Sequence, residues 1–129
     1  MQYAPVAPSY DTQTLLFRAD VTVTGDLIGN TVRPVTVLSS TTMTLDKTHH
    51  FISADATTAG GNIVITLPAV ATNSARTYKV VKADAGGNTV TLKPAAGESL
   101  DGVVDGTIVL AAPHDRTFVD SDGINWYTF

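Results

Sequence analysis

The sequence predicts an all-β protein built from short antiparallel strands. Apolar and polar residues alternate with a period of two in short runs, among them Asn62 to Leu67 and Thr77 to Lys82, as in strands with one buried face. Proline, Asp-Gly or Gly-Gly ends these runs roughly every eight to twelve residues. Threonine and valine are frequent while glutamate occurs once, and β-branched side chains suit a pleated sheet better than a helix. We therefore expect an antiparallel β-sandwich or barrel of short strands with an extended N-terminal arm.

The composition limits the classes of partner. The net charge is −4 and the eight basic residues are scattered singly, whereas a nucleic-acid-binding protein concentrates positive charge on one surface. No run approaches the ~20 apolar residues that cross a bilayer, and the first ten residues lack the basic start and apolar stretch of a signal peptide. Cysteine is absent, which excludes disulfides and thiolate metal sites. We expect no nucleic-acid partner and no membrane span.

The low charge is informative about assembly. Only 16% of the residues are charged, against about a quarter in ordinary soluble domains. A small soluble monomer usually surrounds its core with more charge than this. The composition therefore favours a surface that is covered by sister subunits or by another protein.

Residues 1–41 are predicted to form an N-terminal arm and attachment segment. Pro5 and Pro8 keep its beginning extended, and Tyr3 and Tyr10 flank these prolines as amphipathic anchors suited to docking on a neighbouring protein. A disordered leader is the alternative for the first thirteen residues.

Two strand candidates and a polar link complete the N-terminal part. Residues 14–24 alternate as a strand. Pro34 makes the run of residues 31–33 an edge strand or splits it, and residues 35–38 form a second apolar run. The polar residues 39–42 are the predicted boundary, and whether residues 14–38 join the main sheet stays open at this point.

Residues 42–129 are predicted to form the β-domain. Its strand candidates are 43–45, 49–53, 62–67, 77–82, 89–93, 108–110, 117–119 and 124–129. The last two form a hairpin around the turn residues 120–123. Because adjacent residues of a strand point to opposite faces, Trp126 is expected in the core and Tyr127 outside it.

A short echo occurs inside this domain. Asn62-x-Val64, which runs to a Pro-Ala pair, returns 26 positions later as Asn88-x-Val90, again ending at Pro-Ala. In that alignment Ile63 and Ile65 face opposite to Val90 and Leu92. We therefore interpret the echo as shared turn chemistry and expect no repeat architecture.

The histidines do not indicate a reactive site. His49 and His50 are adjacent on a predicted strand and point to opposite faces, so they cannot bind one metal ion together. His114 and Asp115 lie in a turn, and the chain has no Gly-x-Ser-x-Gly nucleophile motif. Turn polarity is the simpler explanation of that pair.

The carboxylates are explained by turns in the same way. Asp101, Asp105 and Asp122 each precede glycine, where Asp-Gly turns favour aspartate. Asp120-x-Asp122-Gly123 lacks the later glutamate of a calcium-binding EF-hand, which leaves a calcium site as a minor alternative. We expect no enzymatic activity and no cofactor or metal.

The second half of the chain resembles a known type of protein. Asn88-Thr-Val-Thr-Leu92 is followed by Pro94, then by Gly97-Glu-Ser-Leu-Asp-Gly102, two strands, and Asp122-Gly-Ile-Asn-Trp-Tyr127. This order of strands and turns resembles a β-module of bacteriophage fibre and head-decoration proteins. Together with residues 63–68 and 78–82, the resemblance extends over residues 42–129.

The resemblance implies a structural role in a virion. It implies a capsid decoration (cement or head-fibre) protein on the outer surface of the phage head, which binds the major capsid protein, stabilises the shell and forms a homotrimer. By the same analogy the N-terminal segment attaches to the capsid. The candidate capsid-binding residues are Tyr3, Tyr10, Leu15, Leu16 and Phe17.

The alternative is a carbohydrate- or receptor-binding tip of a phage fibre. In that case the Asp-Gly loops and one exposed aromatic residue, Tyr127, would recognise a host-surface glycan, since loops at the end of a β-scaffold are natural recognition surfaces. Against this alternative, the sequence has no row of aromatic residues at alternating strand positions.

Overall fold

The computed structural model describes residues 33–129, and this part of the chain is folded from strands and one 3₁₀ turn at Val70–Thr72. The strands are β1 (Val35–Leu38), β2 (Thr42–Thr44), β3 (Phe51–Ala54), β4 (Ile63–Thr66), β5 (Thr77–Lys82), β6 (Val90–Lys93), β7 (Ser99–Leu100), β8 (Val103–Val104), β9 (Ile108–Leu110), β10 (Arg116–Ser121) and β11 (Trp126–Thr128). The all-β class is confirmed for this region, and no helix within it is long and apolar enough to cross a membrane.

The strands form two mixed sheets. One has seven strands in the order β1-β3-β5-β10-β11-β7-β8, and the other has four in the order β2-β4-β6-β9. From β1 to β6 the chain alternates between the two sheets, so strands that are neighbours in one sheet run parallel. The prediction of purely antiparallel strands was therefore wrong. Alternation in sequence indicates which side of a strand is buried, but it does not identify the strand's hydrogen-bonding neighbour.

The parallel strands explain the echo seen in the sequence. Ile63 is paired with Val90 and Ile65 with Leu92, so the paired residues are 27 positions apart. The same offset separates Asn62 from Thr89, and the Thr89 N–H donates to the Asn62 side chain. At this offset the apolar residues coincide. The sequence interpretation, made at an offset of 26, placed them out of phase and missed that the two segments are neighbouring strands.

The pairs formed by the later strands are antiparallel, except that β11 and β7 run parallel. β10 lies between β5 and β11, β6 is paired with β9, and β7 with β8. The predicted C-terminal hairpin is confirmed, with Val119 opposite Thr128. Asp101 and Gly102, with φ of 52° and 80°, form the two-residue turn between β7 and β8, as expected for an Asp-Gly pair in a type I′ turn.

Buried side chains from both sheets form one hydrophobic core. Trp126 is fully buried, as predicted, and its ring lies 5.8 Å from that of Tyr78 between centroids. Tyr127, its neighbour, is on the exposed side. Residues 35–38 are paired with β3, so the seven-stranded sheet includes residues on the N-terminal side of the predicted boundary at 41/42.

Candidate functional site

The predicted capsid-binding residues lie outside the described part of the chain. Tyr3, Tyr10, Leu15, Leu16 and Phe17 all precede residue 33. Their role stays a prediction from the sequence.

The histidines are engaged in local contacts. His49 Nδ1 lies 2.8 Å from the Asp46 carboxylate, and His50 Nδ1 lies 3.3 Å from the Thr77 carbonyl oxygen. Burial, followed by the nearby positive charge of Arg33, lowers the pKa of His50. Among residues 33–129, no three histidine or carboxylate side chains are grouped as metal ligands would be.

The turn aspartates accept hydrogen bonds from backbone N–H groups. Asp115 accepts from the N–H groups of Ala111 and Ala112, so its carboxylate caps a turn. Asp122 accepts from the N–H groups of Ile124 and Asn125, and these bonds lower its pKa. These contacts agree with the turn interpretation of the sequence.

Two further turn aspartates tie separate segments together. Asp105 accepts from the Gly97 N–H at 2.7 Å. Asp101 accepts from the backbone N–H and the hydroxyl of Thr128. Both carboxylates are thus engaged in hydrogen bonds to other segments of the chain.

The surface of residues 33–129 has open grooves, two of which lie beside charged side chains. One, of about 410 Å³, is lined by polar and charged side chains that include Lys47, Asn73 and Arg76. The guanidinium of Arg76 donates to the Lys47 carbonyl oxygen at 3.4 Å. The other, of about 460 Å³, lies beside Lys93, Pro94 and Asp105.

A further candidate for an interaction surface in the described region is the solvent side of the seven-stranded sheet. On β1, β3, β5, β10 and β11, residues alternate between the core and this side. We call this side the outer face, and its residues are Val35, Val37, Phe51, Ser53, Thr77, Lys79, Val81, Arg116, Phe118, Asp120, Tyr127 and Phe129. Three of these twelve residues are charged.

Strand pairing arranges the outer face in three levels. The middle level runs across the sheet through paired neighbours and ends at Phe129, which exchanges two backbone hydrogen bonds with Phe118; its members are Val35, Phe51, Lys79, Phe118 and Phe129. The level on one side consists of Val37, Ser53, Val81 and Arg116. The level on the other side consists of Thr77, Asp120 and Tyr127.

Large apolar side chains of this face are exposed to solvent. Val37 is 73% exposed, Phe129 76% and Phe118 43%. The Lys79 ammonium lies over the Phe118 ring at 5.2 Å from its centroid, a cation–π contact. Phe118 and Phe129 are neighbours on this face, and exposed apolar side chains that lie together are typical of a site of protein–protein contact.

The four-stranded sheet has a different solvent side. Its outward positions on β2, β4 and β6 are mainly threonine, and Lys93 is the charged residue among them. This side carries no exposed aromatic residue within the described strands. The aromatic surface is thus confined to one of the two sheets.

No protein-family model, curated protein or solved structure matches this chain.

The outer face was not among the sites predicted from the sequence. Its alternating apolar residues were assigned to strands, and the low charge of the chain indicated a covered surface. The pairing that brings Phe51, Phe118 and Phe129 to one level could not be derived from the local pattern, because these residues come from separate strands.

Proposed function

We propose that the protein is a structural component of a bacteriophage virion, a capsid decoration protein that binds the outside of the head and stabilises the shell. The observation that carries a structural role is the outer face, where aromatic and aliphatic side chains are exposed while the turn carboxylates are engaged in backbone hydrogen bonds. Such a molecule is suited to contact with macromolecules. The assignment to a virion comes from the resemblance of residues 42–129.

The mechanism under this proposal is mechanical. The N-terminal segment binds the major capsid protein and the β-domain is displayed outward. A ligand that binds only the assembled shell stabilises it by mass action. We also propose that the two sheets pack as a β-sandwich, since their buried residues share one core.

Loss of the N-terminal anchors should abolish attachment. Two variants test this. One is the protein that lacks residues 1–13, and the other is the full-length protein in which serine replaces Tyr3, Tyr10, Leu15, Leu16 and Phe17. We expect both variants to bind purified capsids weakly or not at all. The measurement is co-sedimentation with capsids, with circular dichroism to check folding. Val109→Thr on the other sheet, at an exposed position, is the control that should bind normally. Undiminished binding of both N-terminal variants would refute the attachment role of this segment.

The second candidate function is glycan recognition at the tip of a fibre. The groove beside Lys47, Asn73 and Arg76 offers hydrogen-bonding side chains, and Tyr127 is exposed. A glycan screen that gives a specific hit, lost in Tyr127→Ala or in Arg76→Ala, would favour this function over decoration.

The resemblance also implies a homotrimer. Light scattering after size exclusion tests it on the full-length chain, where three copies of 13.5 kDa would be expected.

A further inference from the structure

We propose that the outer face is where two copies of this chain meet, related by a two-fold axis that crosses β10 at Phe118. This inference goes beyond the proposed function and does not depend on it. It rests on the order of charges along β10 and on the exposure of Phe118 and Phe129 at the middle level of the outer face.

The charges along β10 are complementary to those of a second β10 strand that runs in the opposite direction. Arg116, Phe118 and Asp120 alternate with buried residues and project from the same side. At ~3.3 Å per residue, the two charges are about 13 Å apart on either side of the phenyl ring. When a second copy is laid face to face with its β10 reversed, Arg116 meets Asp120 of the partner at both ends of the strand.

The reversal also matches β5, the neighbour of β10. Val81, in the level of Arg116, lies opposite the partner's Thr77, in the level of Asp120. The middle level of one copy faces the middle level of the other, so that the aromatic rings of the two copies pack together. Such an isologous contact, in which one patch serves both subunits, is the commonest form of closed oligomer.

A three-fold axis parallel to the strands is disfavoured by the same charges. It would place the Arg116 side chains of three copies at one level and the Asp120 side chains at another. Like charges would then approach each other, which opposes association. The surface therefore favours a dimer over the trimer that the resemblance implies.

The size of the patch sets the expected strength. Five strands spaced ~4.8 Å apart and three levels of side chains span at most about 480 Å² on each copy. This is below the roughly 800 Å² per partner of a standard specific interface, so we expect a weak, reversible dimer.

Charge reversal gives the test. In the full-length chain, Arg116→Asp places aspartate against the partner's Asp120, and Asp120→Arg places arginine against the partner's Arg116, so each variant alone should dimerise at least about tenfold more weakly. An equimolar mixture of the two variants restores opposite charges at both ends and should dimerise. The double variant with both changes should also recover. Analytical ultracentrifugation over a concentration series measures each state.

Two further variants sharpen the result. Phe118→Asp removes the ring at the axis and introduces a charge there, so the dimer should be lost. Lys79 of one copy lies at the same level as Lys79 of the other, and Lys79→Leu removes this repulsion and should strengthen the dimer. Lys93→Asp, on the solvent side of the four-stranded sheet, is the matched charge-reversal control and should leave the association unchanged. Trp126 fluorescence checks the fold of each variant.

The proposal is overturned if the protein is a monomer at all concentrations or has the mass of three chains. It is also overturned if the charge-reversal variants at Arg116 and Asp120 dimerise as strongly as the wild type. A monomer that binds capsids through Phe118 would also overturn it, because the capsid and not a second copy would then cover the outer face. A dimer that follows the charge exchange supports it whether or not the protein binds capsids.

Discussion

At the scale of single residues, Lys82 is a buried cation of the described region. It occupies an inward position of β5 and is fully buried. Its ammonium donates to the Asp84 carboxylate at 2.8 Å, to the Asp84 carbonyl oxygen and to the Gly86 carbonyl oxygen at 2.9 Å. All three donors of a lysine are thereby satisfied.

Asp84 completes this polar cluster. Burial by itself would raise its pKa, but hydrogen bonds from Lys82, Ala56, Gly86 and Thr57 outweigh burial and hold the pKa well below its usual value. At Gly86, an added Cβ would clash with the Thr57 hydroxyl oxygen and crowd the Asp84 carboxylate. Glycine therefore suits the close approach of these segments.

Replacing Asp84 should destabilise the fold in a pH-dependent way. Asp84→Asn leaves the buried Lys82 charge without its counter-ion, and breaking such a pair costs about 3 kcal/mol of unfolding free energy. Because the pKa of Asp84 is lowered in the folded state, its contribution is present above the ordinary carboxyl pKa of about 4 and is lost as the pH falls below that value. Urea denaturation of both proteins should show a difference that is full at neutral pH and narrows below about pH 4.

A surface carboxylate provides the control for this experiment. Asp122→Asn retains an oxygen that can accept from Ile124 and Asn125, so it should change the stability much less. A difference between wild type and Asp84→Asn that stays constant in acid would contradict the role given to the ionised pair.

At the scale of elements, the weakest attachment is that of the β7–β8 hairpin. β7 is paired with β11 through one residue pair, Leu100 with Trp126. Asp101 reinforces this pairing, because its N–H donates to the Trp126 carbonyl oxygen and its carboxylate accepts from the N–H of Thr128 at 2.7 Å. One turn residue thus joins the hairpin to the C-terminal strand.

Loss of the Asp101 side chain should loosen the C-terminal strand. Asp101→Ala removes both acceptors for Thr128 and places alanine at a positive φ, and we expect a loss of about 1–2 kcal/mol. Asp101→Asn should lose less, since asparagine tolerates this backbone conformation and retains one acceptor. Amide hydrogen exchange at Thr128 measures the local effect. Equal protection of Thr128 in the alanine variant and wild type would refute it.

At the scale of the whole described domain, the two sheets are joined by their shared core. Ile65 is buried on the four-stranded sheet and Trp126 on the seven-stranded sheet, and both belong to the same cluster. A domain with one core should unfold in one cooperative step.

A cavity made in one sheet should therefore also destabilise the other sheet. Ile65→Ala should lower the unfolding free energy by about 3 kcal/mol, and the denaturation midpoints from Trp126 fluorescence and from far-UV circular dichroism should shift together. Val109→Ala, at a position that is 53% exposed, should change both midpoints little. A circular dichroism midpoint that moves while the fluorescence midpoint stays would indicate that the sheets unfold separately.

The sequence by itself determined the all-β class, the positions of most strands and the Asp-Gly turns. It also determined that Trp126 is inside and Tyr127 outside. These features depend on neighbours along the chain, because side-chain alternation and turn geometry are local properties.

Only the tertiary structure decided the parallel pairing of β1 to β6, the offset of 27 residues between β4 and β6, and the burial of Lys82. It also decided that Phe51, Phe118 and Phe129 lie on one level of the outer face. The physical reason is that a strand's period-two pattern fixes which side faces the core, whereas its hydrogen-bonding partner depends on the route of the chain between the two sheets.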